Sequence, residues 1–174
     1  MLKRTVLTLL TLSLVPLQTM AALQCGPGLM HVNVTGSVTT LNVSATKQVG
    51  QVCINMIRSA NGHEVFNDCG ALVGKVVESD PSTGASTLTH TAVFDLRDIF
   101  VTRNDKAQIY YPTNSDETGN PCAFYVEEFI SEIESGTGIF RDGQISVRAR
   151  GNVNFCPDQG VNTFTLEGEA CVRR

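Results

Sequence analysis

Residues 145–150 read Ile-Ser-Val-Arg-Ala-Arg, and residues 164–172 read Phe-Thr-Leu-Glu-Gly-Glu-Ala-Cys-Val. In both stretches, apolar or small side chains alternate with polar ones. Successive side chains of a β-strand point to opposite faces of the sheet, so a period of two indicates half-buried antiparallel strands with their apolar face inward. The C-terminal third of the chain is therefore predicted to be β-structure.

The same alternation extends toward the N-terminus and is clear again at residues 87–94. Short strand-like runs separated by turn signals recur about every 8–12 residues, which is typical of a closed barrel or a sandwich. The fold predicted here is an antiparallel up-and-down β-barrel, with a β-sandwich as the alternative. Residues 122–135 fit either a short helix or a strand, and the strand is favoured.

The first residues have the layout of a secretory leader. Lys3 and Arg4 precede an apolar run, and small residues follow near Ala21. The run is about 12 residues long, short of the roughly 20 that a membrane-spanning helix needs. Residues 1–21 are therefore predicted to be a signal peptide, and residues 22–174 a single disulfide-stabilised domain. We expect a secreted or periplasmic protein of bacterial type, without stable membrane insertion.

All six cysteines lie after the predicted leader, and their number is even. In an oxidising compartment this predicts three disulfides. They are Cys25, Cys53, Cys69, Cys122, Cys156 and Cys171. A hairpin turning at residues 60–62 places Cys53 opposite Cys69, and directly opposed residues are within disulfide reach. The strand periodicity puts Cys156 and Cys171 on polar faces.

The charge balance limits the classes of partner. Residues 1–21 carry two of the 13 Lys and Arg and none of the 17 Asp and Glu, which leaves a formal net charge of −6 for the rest. An acidic chain without a basic patch is not expected to bind nucleic acid. No Cys-x-x-Cys pair or His-Glu-x-x-His motif occurs, so neither a metal site nor a cofactor is predicted. The oligomeric state is left open.

The chemistry-bearing candidates are sparse. His90 shares a strand face with Leu88, Ala92 and Phe94, so it is the candidate for a hydrogen-bonding or proton-transfer group in an apolar interior. Glu127, Glu128, Glu132 and Glu134 form an acidic run. We expect that run to be solvated on an outer face rather than to act in catalysis. The residues predicted to line a lumenal ligand site are Leu88, His90, Phe94, Phe129, Ile133, Phe164 and Leu166.

The C-terminal half also resembles a known group of barrels. The resemblance rests on the segments TGASTLTHTAVF (83–94), IESGTGIFRDGQISVRARGNVNF (133–155) and NTFTLEGEACV (162–172). Residues 83–172 are similar to the calycin-like barrels of the allene oxide cyclase and dirigent type and to secreted bacterial relatives of that shape. The matching positions are Gly136, Thr137, Gly138, Phe140, Gly143 and Gly151. Because these positions lie in turns, the resemblance carries over no catalytic residue.

The resemblance implies either an apolar cavity that guides a cyclisation or coupling, or a barrel without an activity. From it and from His90 we expect an exported barrel that binds a small apolar molecule in its lumen and assists an isomerisation or cyclisation. Whether the chain is an enzyme at all is left open. The alternative is a non-catalytic envelope or extracellular protein with an interaction or structural role.

Overall fold

The computed structural model describes residues 23–157 and 160–174. Its strands are β1 (Leu29–Ser44), β2 (Lys47–Arg58), β3 (Glu64–Asp80), β4 (Ala85–Val93), β5 (Ile99–Thr102), β6 (Asp105–Ser115), β7 (Pro121–Ile130), β8 (Ile133–Gly136), β9 (Gln144–Asn154) and β10 (Asn162–Arg173). A short 3-10 turn covers Gly138–Phe140. The predicted signal peptide, residues 1–21, lies outside the described residues. Within those residues, no helix has the length and apolar character needed to cross a bilayer.

Eight of the strands close into a ring. Going round it, β1 pairs with β2, β2 with β3, β3 with β4, β4 with β6, β6 with β7, β7 with β9, β9 with β10, and β10 with β1. Every pairing is antiparallel, and the strands follow one another in chain order. This is the connectivity of an up-and-down barrel. The prediction of an antiparallel all-β fold is confirmed.

The interior of the ring is apolar, as the periodicity predicts. Ile145, Val147 and Ala149 of β9 are all buried. They belong to one core cluster with inward residues of other strands. That cluster includes Val32, Val34, Val52, Ile54, Leu72, Leu166 and Val172. Burial of this apolar surface is the main favourable term holding the ring closed.

Two neighbouring strands of the ring are interrupted at the same level. β4 pairs with β6 through residues 85–88 but with β5 through residues 91–93. β7 pairs with β6, whereas β8 pairs with β5. β5 and β6 therefore occupy one strand position of the sheet, which is interrupted at residues 103–104. β7 and β8 occupy the neighbouring position, which is interrupted at residues 131–132. Asn104 takes the left-handed backbone conformation, with φ of 59°.

The strand interpretation of residues 122–135 is confirmed, but it placed Phe129 on the wrong face. Val126 and Glu128 are buried on β7, and Ile130 packs with Glu128 against the lumen. Phe129 alternates with them and faces the other way. Ile133 returns to the interior because the break at residues 131–132 shifts the alternation by one residue.

One end of the barrel is closed by aromatic rings. Phe66, Phe94, Phe100 and Phe140 contact one another, with ring centroids 4.9 Å apart for Phe100 and Phe140 and 5.6 Å apart for Phe94 and Phe140. Phe140, carried by the 3-10 turn, is only 1% exposed. Offset and edge-to-face arrangements of this kind stabilise a core beyond the area they bury. The opposite end carries the turns at residues 45–46, 81–84 and 116–120.

The six cysteines form three disulfides, as predicted. Cys53 and Cys69 are directly opposite each other on β2 and β3 and are bonded, which confirms the predicted pair. The other bonds join Cys25 to Cys171 and Cys122 to Cys156. Disulfides of this number indicate an oxidising compartment, extracellular or periplasmic.

The expected outward position of Cys171 is correct, but the expected strand position of Cys156 is wrong. Cys156 follows the end of β9 instead of lying in a strand, and it is buried beside Cys122 and Ala123. Cys171 occupies an outward position on β10 but is fully buried. The segment before β1 is bonded to it through Cys25 and covers it there.

When the disulfides are removed one at a time, the loss of unfolding free energy should increase with the length of chain that each disulfide closes. Cys25–Cys171 spans 146 residues and Cys53–Cys69 spans 16. Loop-closure entropy then predicts that replacing both partners by Ser costs about 5 kcal/mol for the former and about 3 kcal/mol for the latter. Urea unfolding without reductant measures both losses. Equal losses, or the reverse order, would contradict the chain-entropy explanation.

Candidate functional site

Four polar side chains converge inside the barrel wall. They are His90 of β4, Thr102 at the end of β5, Asp105 at the start of β6 and Glu128 of β7. The side chains of His90 and Glu128 are each 9% exposed, and that of Asp105 is fully buried. Thr102 is also fully buried. We refer to these four residues as the lumenal cluster.

The broken strand line creates this cluster. Along β5 the inward positions are Phe100 and Thr102, whereas along β6 they begin with Asp105. Residues three positions apart in a regular strand face opposite sides of the sheet. If residues 103–104 continued the strand, one of Thr102 and Asp105 would therefore point outward. At this level β4 has a ladder partner in β3 but none on the side of β5 and β6, and there the His90 amide donates to the Thr102 hydroxyl, with 2.9 Å between N and Oγ1.

The outer side of the break is held by a separate set of contacts. Arg103 Nε donates to Glu132 Oε1 over 2.6 Å, and Asn104 Nδ2 donates to Glu132 Oε2 over 3.2 Å. The backbone amide of Arg103 also donates to the Glu132 carbonyl. These contacts join the two interruptions, so residues 103–104 are anchored outward while their neighbours face inward.

Inside the cluster, one imidazole nitrogen meets both carboxylates. His90 Nδ1 is 2.9 Å from Asp105 Oδ2 and 3.4 Å from Glu128 Oε1. The Thr102 hydroxyl donates to Asp105 Oδ2 as well. Asp105 Oδ1 and Glu128 Oε1 are buried without a hydrogen-bond partner. Among the described residues, no Lys or Arg pairs with either carboxylate, so the cluster has more acidic groups than basic ones.

The cluster has two buried carboxylates and one imidazole, and this imbalance shifts the pKa values of His90 and Glu128. Burial by itself would lower the pKa of His90, but Glu128 and the hydrogen bond with Asp105 outweigh it and raise that pKa. Burial raises the pKa of Glu128, against the attraction of His90. Both shifts have the direction expected when two carboxylates share one cation away from water.

The cluster borders two neighbouring spaces in the lumen. The deeper one, about 50 Å³, has His90, Thr102 and Glu128 in its wall. The outer one, about 90 Å³, extends to the turn at residues 45–46. Gln48, Glu128 and Phe164 line both spaces and form the partition between them. The rest of the deeper wall is apolar and includes Val34, Val52, Ile54, Leu72, Val147 and Leu166.

Gln48 is held in place by a polar network at the outer end of the lumen. Its Oε1 accepts hydrogen bonds from Thr40 Oγ1 at 2.6 Å and from Asn162 Nδ2 at 3.3 Å. Asn162 is fully buried and also donates to Asn42. Hydrogen bonds therefore hold the Gln48 side of the partition in place.

The structure brings together four of the seven predicted lining residues. His90 and Leu166 line the deeper space, Leu88 lines the outer space, and Phe164 lines both. The other three lie elsewhere. Phe94 belongs to the aromatic end, Ile133 packs against the core, and Phe129 faces away from the lumen.

Sequence reasoning missed three members of the cluster. Glu128 was expected to be solvated, and this is wrong because Glu128 is only 7% exposed. Its position two residues from both Val126 and Ile130 was the available signal. Asp105 and Thr102 were not singled out. Their inward direction depends on a strand break that no residue pattern indicates.

The chain was compared with family models, curated proteins and solved structures. No family model matches it, and no curated protein or solved structure is significantly similar to it. The site is therefore interpreted from its own geometry.

Gly74 makes room for the His90 ring. It pairs with His90 across β3 and β4, and a Cβ there would lie 2.9 Å from His90 Nε2 and 2.8 Å from Gln48 Cγ. Gly74→Ala should therefore displace the ring and destabilise the barrel by about 1–3 kcal/mol. Urea unfolding and the NMR signals of the His90 ring measure the two effects. Gly26→Ala is the matched control, since a Cβ there meets nothing within 4 Å. Unchanged ring signals in Gly74→Ala would show that the imidazole does not occupy this position.

Proposed function

We propose that this chain is an exported β-barrel that binds a small, mainly apolar molecule in its lumen, with one polar group of that molecule directed at the lumenal cluster. The observation that carries the proposal is the placement of four polar side chains, His90, Thr102, Glu128 and Gln48, in the wall of a mainly apolar space. Ligand sites combine an apolar surface with a few polar groups that fix orientation, and this wall has that composition.

The size of the two spaces limits the ligand. An engineered cavity of about 150 Å³ accepts benzene, so spaces of about 50 and 90 Å³ suit a guest of similar size only when they merge. Rotation of Phe164, which is part of the partition, would merge them. We therefore favour a compact molecule, on the scale of a substituted benzene ring, over a long-chain lipid.

Export is part of the proposal. The leader-like residues 1–21 and the three disulfides both support a secreted or periplasmic location. The resemblance to barrels of the allene oxide cyclase and dirigent type points to the same kind of cavity.

A catalytic form of the proposal is an assisted isomerisation or cyclisation. Such a reaction needs a group that polarises or protonates the bound molecule, and the lumenal cluster supplies polar groups at the wall of the deeper space. A molecule must bind in the lumen whether or not it then reacts, so the experiment measures binding.

Benzyl alcohol and toluene form a matched pair of probes, because they differ by one hydroxyl group. We expect both to shift the methyl NMR signals of Val34 and Leu166, which line the deeper space. Both should also shift the signals of His90 and Thr102, which line the same space, but benzyl alcohol should bind more tightly, since its hydroxyl has a polar partner there. Native mass spectrometry of protein from its producing cells then identifies the natural guest.

A lumen-filling variant supplies the control. Ala149 is buried in the wall of the deeper space, so Ala149→Leu should abolish both sets of shifts. Thr165→Leu, on the exposed face of the adjacent β10, should leave them intact. Shifts confined to the outer surface, with no guest in the mass spectrum, would reject the proposal and favour a non-catalytic interaction or structural protein.

A further inference from the structure

We propose that His90, Asp105 and Glu128 bind one divalent transition-metal cation, through His90 Nδ1 and one oxygen of each carboxylate. One donor atom from each of the three residues lies within 4.8 Å of the other two. The residues come from three different strands, 15 and 23 positions apart in sequence, which is why no spacing motif indicates a site. This proposal does not depend on the proposed function.

The first support is the unmatched charge. Two carboxylates and one imidazole share a space in which the described residues place no Lys or Arg. Asp105 Oδ1 is buried without a hydrogen-bond partner, and buried Glu128 Oε1 has only the 3.4 Å ion-pair contact with His90 Nδ1. Buried carboxylate oxygens are costly unless they are fully paired or coordinate a metal.

The second support is distance. Nitrogen and oxygen ligands sit about 2.0–2.2 Å from zinc, so two ligands of a tetrahedral site are roughly 3.3 Å apart. His90 Nδ1 lies 2.9 Å from Asp105 Oδ2 and 3.4 Å from Glu128 Oε1. These separations bracket the tetrahedral value. The third separation, between the carboxylates of Asp105 and Glu128, is within 4.8 Å, so side-chain rotation has to bring these two groups around the ion.

The donor set selects the class of ion. Imidazole with carboxylate suits zinc, iron and related first-row metals, whereas calcium takes six to eight oxygen ligands in most sites. Three protein ligands leave at least one coordination position free, as in catalytic rather than structural zinc sites. His90 and Glu128 both line the deeper space, so that free position faces the lumen.

Thr102 supplies an outer contact of the kind that metal sites use. Its hydroxyl donates to Asp105 Oδ2 and also accepts from the His90 amide. It thereby restrains two of the three ligands at once. Outer contacts that orient ligands are worth roughly 10–100-fold in metal affinity.

The test begins with the full chain, its disulfides intact, stripped with EDTA and then desalted. After incubation with ZnCl2 and removal of excess metal, elemental analysis should find one zinc per chain. Co2+ in place of zinc should give the visible absorption bands of a low-coordinate site. NMR of the unmutated protein should place the zinc on His90, with no change at His31 or His63.

Isosteric variants identify the ligands. Asp105→Asn and Glu128→Gln should each weaken zinc binding by roughly 100-fold or more, beyond the effect of losing an outer contact. Glu127→Gln is the matched control, because Glu127 is the neighbour on the outer face and pairs with Arg150 at 3.3 Å. His31→Gln tests the surface pair of His31 and Glu169, which lie 3.2 Å apart.

The outcomes separate cleanly. Zinc signals at His90, with losses in Asp105→Asn and Glu128→Gln only, support the site. Absence of bound zinc, or binding that is lost in His31→Gln instead, overturns it. The NMR measurement on the unmutated protein decides the question even if a variant fails to fold. Probe binding in the lumen is measured without added metal, so this proposal and the proposed function can each fail alone.

Discussion

The interior chemistry of this barrel depends on one departure from regular β-structure. Between β5 and β6, two residues instead of the usual one separate successive inward positions. Thr102 and Asp105 therefore both face the lumen. The neighbouring line from β7 to β8 breaks at the same level, and Glu132 ties the two breaks together on the outside. A regular strand would have turned one of these two side chains outward, since alternation allows only every second residue inside.

The polar cluster is not explained by stability. Transfer of carboxylates out of water is expensive, and replacing buried charged groups with apolar residues of similar volume is often neutral or stabilising. The rest of the interior is mainly apolar, and three disulfides cross-link the barrel. Buried ionisable groups that break the local rules, such as His90, Asp105 and Glu128, mark candidate functional positions.

Periodicity and turn chemistry predicted much of the fold. The alternation at residues 145–150 and 164–172 correctly assigned the inward faces of β9 and β10. The predicted pair of Cys53 and Cys69 is correct, although the register beside the turn is shifted by one residue and a bulge at Met56 and Ile57 restores the alignment. The site was predictable only through His90, which sits on a regular strand. Glu128 was misplaced because its charge was weighed above its position between Val126 and Ile130. Asp105 and Thr102 depend on a strand break whose residues, Arg103 and Asn104, are unremarkable in sequence.

The central claim is that the His90 ring lies inside the barrel, against β3 and within the lumenal cluster. A nuclear Overhauser experiment on the unmutated protein tests this directly, because the ring carbon Cδ2 lies close to Gly74 and Gln48. The account predicts cross peaks from the His90 ring proton to the α-protons of Gly74 and the γ-protons of Gln48. A His90 ring that shows neither contact and exchanges freely with solvent would contradict it.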